Sequence, residues 1–328
     1  MPGLTYRKPI NTTLSTDNAA KLKEMARNSG RPQTRILDQA VDELYQKEID
    51  NMEQMENAPK HKGIVISIAN NKGGVGKTTS TAAFADLLSK RGKKVLLIDG
   101  DPQGNLSGRF GFASDDYRAN YLGALIKDLR NENQEHQDIE HYINRLGEYP
   151  RIDIIISDLR LDEVYSSLGS NALASTALFS KIIHAVRDLD RYDYILIDAR
   201  PALNNEISSA FVASDYVIIP IEAASDSVIG ANAMIGFMNQ ARDFNPKLEL
   251  LGVFFNKVAD RTKSFHELLP LVTDGFSQKL FETKVPRAQD VVNAENFGAP
   301  VTAKYPECKA SKAYSKLIDE VVNRIEAH

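Results

Sequence analysis

The stretch Ile64-Val-Ile-Ser-Ile-Ala-Asn-Asn-Lys-Gly-Gly-Val-Gly-Lys-Thr-Thr79 joins a short apolar run to a glycine-rich loop, and residues 80–90 continue with helical periodicity. A strand, a glycine loop and a helix in this order are the elements of a phosphate-binding loop (P-loop). Gly73, Gly74 and Gly76 let backbone N–H groups turn inward around phosphate oxygens, while the N-terminus of the helix adds positive potential there. This stretch therefore predicts a nucleotide-binding α/β domain.

Two side chains of this loop have the chemistry to hold ATP and Mg²⁺, the ligands that we predict. The Lys77 ammonium neutralises the β- and γ-phosphate oxygens, and the Thr78 hydroxyl is a ligand for the metal. The usual pattern G-x-x-x-x-G-K-[ST] requires glycine at position 71, where this chain has Asn71. The chain also carries an additional lysine, Lys72, directly before the glycine pair.

The segment from Lys72 to Thr78 resembles the deviant Walker A motif K-G-G-x-G-K-[ST] of the ParA/MinD class of ATPases. In that class the early lysine reaches across a dimer interface to the nucleotide held by the other subunit. The resemblance implies that Lys72 acts in trans, so that ATP binding and homodimer formation are coupled. The predicted contacts of the nucleotide in this loop are Lys72, Gly73, Gly74, Val75, Gly76, Lys77, Thr78 and Thr79.

Two carboxylates follow the apolar run from Val95, where open α/β sheets bind their ligands. Asp99 and Asp101 lie in a segment, Asp99-Gly-Asp-Pro-Gln-Gly-Asn105, that resembles the D-x-D-P-Q-G-N segment of the same family. The resemblance implies that Asp99 supports the hydrated Mg²⁺ and that Asp101 orients the attacking water. The predicted catalytic residues are Asp101, Lys72 and Lys77.

The apolar run Tyr194–Asp198 ends in a carboxylate, the Walker B arrangement, and Asp198 should hold a Mg²⁺-bound water. The predicted metal-site residues are thus Thr78, Asp99 and Asp198. The family usually continues with two prolines, whereas this chain has Ala199-Arg200-Pro201. Arg200 is either a sensor near the γ-phosphate or a solvated switch residue.

The chain after Gly63 alternates short β-branched runs with longer helical stretches, which predicts a mostly parallel sheet sandwiched by helices, the P-loop NTPase fold. By the family resemblance Asn256 hydrogen-bonds the adenine edge and Pro286 packs beside it. Relatives bind DNA nonspecifically through C-terminal arginines. Asp290 and Glu307 stand in comparable places here, and Lys309 and Lys312 are the remaining candidates.

Composition excludes several classes of function. The single cysteine permits no intrachain disulfide, and no apolar run approaches the roughly 18 to 20 residues that cross a bilayer. The last stretch, residues 314–328, has apolar positions at helical spacing but carries Asp319, Glu320 and Glu326, so we expect it to pack on the sheet rather than on a membrane. A cytoplasmic, nucleoid-associated protein without a membrane partner is predicted.

The N-terminal region is a separate module. Residues 1–47 are net +3, residues 48–62 form an acidic linker with a proline, and residues 63–328 form the ATPase domain. One alternating stretch, residues 10–14, and two helical stripes are too few to bury a core, so this module must pair with a copy of itself. It resembles a ribbon-helix-helix domain, which implies that Asn11 and Thr13 face base edges, with Arg7 nearby. The alternative is a helical dimerisation arm without a DNA role.

Taken together, these patterns predict a partition ATPase whose slow hydrolysis is accelerated by DNA and by a ParB-like centromere-binding partner. The N-terminal module would bind specific DNA and repress its own operon. Two other functions remain open: an ATP-gated transcriptional regulator without transport, and a MinD-like ATPase that positions cell division.

Overall fold

The computed structural model describes residues 16–40, 43, 63–112, 118–130, 138–167, 178–201, 205–259 and 262–327. The chain divides into two units, residues 1–60 and residues 61–328, and each is considered by itself. The predicted linker, residues 48–62, lies outside the described residues, so the predicted domain boundaries stay predictions.

In the first unit, helix α1 spans Thr16–Ser29, and residues 33–40 are again helical. Gly30 turns the chain between them with φ of 65°, a left-handed conformation that favours glycine. Both helices were predicted from their apolar stripes. The predicted strand, residues 10–14, and with it Arg7, Asn11 and Thr13, lies outside the described residues.

The second unit is built on a seven-stranded sheet in the order β3-β4-β2-β5-β1-β6-β7. All neighbouring strands are parallel except β3, which pairs antiparallel with β4. The two-residue strand β3 was not predicted, because so short a run has no periodicity to read. The strands are β1 Ile64–Ile68, β2 Val95–Asp99, β3 Asn144–Arg145, β4 Ile152–Ile155, β5 Tyr194–Asp198, β6 Tyr216–Ile221 and β7 Glu249–Phe255.

Helices cover both faces of this sheet, because the side chains of the inner strands are apolar on both faces. One face packs against α2 and α12, the other against α4 to α7, and the β6–β7 end is covered by α8 and α9. The helices are α2 Lys77–Lys90, α3 Asn105–Gly108, α4 Leu122–Arg130, α5 Leu161–Ser167, α6 Leu178–Asp188, α7 Asn205–Val212, α8 Ser225–Ala241, α9 Lys263–Phe276, α10 Gln289–Asn296, α11 Val301–Lys304 and α12 Lys309–Glu326, with short 3₁₀ turns at Ile139–Tyr142 and Ser277–Lys279.

The last helix, α12, packs on the sheet as expected, with Leu317, Ile318 and Val321 fully buried. It begins at Lys309, ahead of the predicted apolar stripe. The Cys308 thiol accepts a hydrogen bond from the Ser311 N–H and so caps the helix. Across the described ranges, we find no helix with the length and apolar character that crossing a bilayer requires.

Strand register brings the functional segments together. In the row β2-β5-β1, Asp198 lies beside Asp99 on one side and beside Ile68 on the other. Parallel neighbours are about 4.8 Å apart, so the P-loop that follows β1 and the two strand-end carboxylates meet at one edge of the sheet.

Candidate nucleotide-binding site

Asp99 is buried at the end of β2, where its carboxylate is fixed by three hydrogen bonds. Oδ2 accepts from the Ser107 N–H at 2.8 Å and from the Ser107 hydroxyl at 2.7 Å, and Oδ1 accepts from the Asp101 N–H at 3.2 Å. Burial raises the pKa of Asp99 to about 6, although these hydrogen bonds favour the charged form. The carboxylate is therefore held in one orientation near the metal position that was predicted for it.

Asp198 lies beside it at the end of β5, also buried. The Thr78 hydroxyl donates to Oδ2 of Asp198 at 2.6 Å, while Oδ1 is buried without a hydrogen-bond partner. Burial raises the pKa of Asp198 to about 8, and the neighbouring charge of Asp99 acts in the same direction. An unpaired buried carboxylate oxygen next to a hydroxyl is costly unless a cation or water completes it.

These residues fit Mg²⁺. Thr78 and Asp198 present hard oxygen ligands side by side, which Mg²⁺ prefers, and the unpaired oxygen of Asp198 points to a missing polar neighbour. Within the described ranges, no three His, Cys, Asp or Glu side chains form a ready-made cage.

The P-loop itself leaves space for phosphates. A Cβ added to Gly73 or Gly74 would meet nothing within 4 Å, whereas one at Gly76 would overlap the side-chain amide of Asn256. Gly74 and Gly76 have φ of 79° and 92°, which other residues rarely adopt. The buried Lys77 ammonium donates to the Lys72 carbonyl at 3.1 Å, and burial lowers its pKa despite the nearby carboxylates of Asp198 and Asp101.

The side chain of Asn256 hydrogen-bonds to the P-loop. Its amide donates to the Val75 carbonyl at 2.8 Å, and its Oδ1 accepts from the Tyr314 hydroxyl at 3.3 Å. Pro286 lies close by, bridged to Val258 just beyond β7. Asn256 is thus next to the P-loop, and Pro286 lies beside the segment that follows Asn256. The Asn256 side chain already has two partners, and the contacts of both residues with the base stay predictions.

Asp101 and Arg200 lie on the turns that follow β2 and β5. Oδ1 of Asp101 accepts from the Gln103 N–H at 3.0 Å, which closes the turn around Pro102. Arg200 donates to Asp162 on α5 at 2.8 Å. Arg200 is thus paired with a carboxylate and half-buried, and its role as a γ-phosphate sensor or a switch residue stays a prediction.

Comparison with known proteins identifies the family. The family described as an AAA domain matches residues 63–250, more than half of the chain. The chromosome partitioning protein ParA of Caulobacter vibrioides is 33% identical over 261 residues, which cover 79% of this chain and 94% of that protein. The chain belongs to the ParA family of P-loop ATPases. An uncharacterized protein of Methanocaldococcus jannaschii is 35% identical over 266 residues, covering 80% of this chain and all of that protein.

Two solved structures share the fold of this ParA-family chain. Cobyrinic acid a,c-diamide synthase from Mycobacterium smegmatis, with a bound ATP analogue and magnesium, is 23% identical with a TM-score of 0.66, covering 81% of this chain and 96% of that one. The septum site-determining protein MinD from Pyrococcus horikoshii, complexed with Mg-ADP, is 24% identical with a TM-score of 0.62, covering 79% and 96%. The predicted family, the fold of the ATPase domain and the ATPase class are confirmed, and the bound molecules of these neighbours support ATP and Mg²⁺ as the predicted ligands. The N-terminal ribbon-helix-helix module stays a prediction.

Several residues around the ParA-family site were not predicted. Ser107 holds Asp99, and Glu295 on α10 accepts from the Thr79 hydroxyl at 2.8 Å while pairing with Arg109 at 2.8 Å. Glu222 lies within ion-pair distance of Lys72 and, as the residue directly after β6, could have been found from its strand-end position. The others come from helices and loops whose docking no local pattern encodes.

The two C-terminal DNA candidates of this ParA-family chain lie at the start of α12, as its first and fourth residues. Lys309 is exposed, and Lys312 pairs with Glu307 at 3.0 Å on the surface. An exposed ion pair is weak, so phosphate could displace it at little cost. Their contact with DNA stays a prediction.

Proposed function

We propose that this chain is a DNA-partition ATPase whose subunits pair face to face when ATP is bound and separate after hydrolysis. One observation carries the proposal: the site has two lysines that differ in how exposed their side chains are. Lys77 is buried and serves its own loop, whereas the Lys72 side chain is 30% exposed at the mouth of that loop. We assign this second, accessible cation to a nucleotide held by another subunit.

The residues of one subunit supply the rest of the chemistry. Lys77 and the loop N–H groups neutralise the phosphates, and Asp101 orients the attacking water. Thr78, Asp198 and Asp99 would hold Mg²⁺, which supplies charge neutralisation at the phosphate oxygens when it is bound. We expect hydrolysis without an accelerating partner to be slow.

The cargo and partners belong to the same proposal, which the names of the relatives support. The Caulobacter relative is a chromosome partitioning protein, and we extend that role to this chain with a plasmid or chromosome region as cargo. A ParB-like centromere-binding protein and DNA would accelerate hydrolysis. Lys309 and Lys312 are the proposed nonspecific DNA contacts, and the proposed location is the cytoplasm, on the nucleoid.

The N-terminal module is proposed to read specific DNA as a pair. None of the side chains described between residues 18 and 40 is buried, and Met25 on the apolar stripe of α1 is 56% exposed. A stripe of this kind needs a cover, and a second copy offers the same apolar surface. Such a pair would present Arg7, Asn11 and Thr13 to the major groove and allow repression of the chain's own operon.

Face-to-face pairing is tested by cross-linking through Ile229→Cys in a Cys308→Ser background. Ile229 is 69% exposed on α8, and the adjoining Gly230 packs against Asn71 of the P-loop. A bismaleimide should link the subunits with Mg²⁺ and a slowly hydrolysed ATP analogue but not with ADP. Equal cross-linking in both nucleotides would contradict the proposal.

Turnover and flotation separate the other functions. Nonspecific DNA should stimulate ATP hydrolysis by the full chain, whereas a transcriptional regulator without transport would show specific DNA binding and no such stimulation. Flotation with liposomes in the presence of ATP would instead identify a positioning ATPase that acts on membranes.

A further inference from the structure

An acidic residue that the proposed cycle does not use lies between two lysines of the site. Oε2 of Glu222 is 3.8 Å from Nζ of Lys72, and Oε1 is 3.6 Å from Nζ of Lys257. The three side chains are 28%, 30% and 41% exposed, respectively. One carboxylate is therefore shared by two ammonium groups at the mouth of the P-loop.

The fold holds this arrangement in place through the ends of β6 and β7. The Asn256 N–H donates to the Ile221 carbonyl at 2.7 Å, which fixes the residues on either side, Glu222 and Lys257. Lys257 adopts φ of 53°, and its ammonium also donates to the Gly74 carbonyl. The carboxylate and the second lysine are thus set by backbone geometry.

Lys72 is tied to the same strand end by a buried asparagine. The Asn70 amide donates to the Pro220 carbonyl at 2.8 Å, and its Oδ1 accepts from the Lys72 N–H at 3.0 Å. Asn70 therefore places the backbone of Lys72 beside Glu222. The ion pair between these two side chains follows from this bridge rather than from a chance surface contact.

A carboxylate at this position opposes the binding of a triphosphate, because it repels the phosphates and competes for the cation that should meet them. We propose that Glu222 is a positioning residue that holds Lys72 within its own subunit until a triphosphate competes for it. Glu222 thereby sets the ATP concentration at which two subunits pair. This inference rests on the proposed function, in which Lys72 acts across the interface.

The ion pairs of Glu222 are weak enough for a triphosphate to displace them. Neither contact is at hydrogen-bond distance, the carboxylate is shared, and partly exposed pairs are weak. A nucleotide with several charges displaces a pair of this kind easily. Loss of the carboxylate should therefore lower the ATP analogue concentration for half-maximal pairing by about two- to fivefold.

The experiment titrates cross-linking of the full chain, in the Ile229→Cys and Cys308→Ser background, with the ATP analogue and Mg²⁺. Glu222→Gln is compared with Glu140→Gln, which removes one negative charge from an ion pair with Arg191. Arg191 precedes β5, so this control pair lies at the edge of the sheet opposite the P-loop. Thermal unfolding of each variant checks the fold. Calorimetric titration with ADP measures nucleotide binding that needs no second subunit.

We expect Glu222→Gln to pair at lower analogue concentration, with ADP affinity and the Glu140→Gln titration unchanged. An unchanged titration for Glu222→Gln overturns the inference but leaves the proposed function standing. A parallel gain in ADP affinity also overturns it, because the carboxylate would then act by general repulsion of phosphate. If the Ile229→Cys and Cys308→Ser chain that keeps Glu222 never pairs with the analogue, the proposed function itself fails, and the inference with it.

Discussion

The nucleotide site and the N-terminal module are built in opposite ways. At the site, Asp99, Asp198 and Lys77 are buried and hydrogen-bonded to residues of neighbouring loops and helices, and the sheet register places Asp99 beside Asp198. Between residues 18 and 40, the described side chains are half-buried or exposed throughout, including the apolar positions of α1 such as Leu22 and Met25.

This difference separates what one chain completes from what needs a second copy. The site is preorganised, since its carboxylates already have fixed orientations before any ligand arrives. Between residues 18 and 40 the module has an apolar stripe and no buried side chain, so under the proposed function its DNA contacts would depend on pairing. Substitutions in the site should change chemistry within an intact fold, and substitutions in the module should change recognition.

Asp101→Ala tests the site most severely. Asp101 lies on a turn and not in the core, so its loss should leave the fold and the pairing with ATP intact. Turnover should fall by about 10²- to 10⁴-fold, because positioning of the attacking water is lost. ATPase rates and analogue-dependent cross-linking of this variant check the prediction, with Asp319→Ala, an exposed residue paired with Arg91, as the control. Full turnover would remove Asp101 from the catalytic set.

Asp198→Asn should show how much the charged form of a buried carboxylate at this site lowers the free energy of unfolding. Without Mg²⁺, the folded state holds the Asp198 proton up to about pH 8, whereas the unfolded chain releases it near pH 3.9. The folded state thus binds more protons between these values, and stability falls as pH rises from about 4 to 8. Asp99, with its pKa raised to about 6, contributes in the lower part of that range.

An asparagine at position 198 has no carboxyl group to ionise, and its amide oxygen can accept the hydrogen bond from the Thr78 hydroxyl. At pH 9 the variant should be more stable than the unsubstituted chain by on the order of 1 to 3 kcal/mol, with little difference at pH 4. Urea unfolding in a chelator at several pH values measures this, with Asp319→Asn as the control. Parallel stability curves for the two proteins would show that Asp198 is already charged in the folded state.

Much of the site was predictable because local sequence encodes it. The P-loop, the strand-end aspartates and the bounds of β2 and β5 follow from periodicity and spacing within short segments. The expectation that strand ends converge needs only the parallel character of the sheet. The family resemblance added the order of segments, and the strand register then put Asp99 beside Asp198.

What was missed depends on contacts between distant segments. Glu295 reaches Thr79 from a helix more than two hundred residues away in sequence, and Asn256 turned out to brace Val75 as well as Tyr314. Arg200 meets Asp162, a residue of α5 that carried no motif. Such pairs arise from docking of helices on the sheet, for which a single sequence holds no periodic signal.

The smallest expected effect tests the recognition role of the N-terminal module. In the proposed ribbon-helix-helix arrangement, strand alternation would turn Asn11 and Thr13 toward base edges and Thr12 toward the partner copy, so Thr13→Ala and Thr12→Ala are matched substitutions with different expected effects. Asn11→Ala and Thr13→Ala should each weaken binding to the operator by about tenfold, the worth of a base contact, and leave nonspecific binding unchanged. Thr12→Ala should weaken pairing of the module and reduce both kinds of binding together.

Mobility-shift titrations at fixed salt, with operator and with random duplex, measure these ratios. Equal losses on both duplexes for Thr13→Ala would assign this residue to the scaffold and favour the dimerisation arm.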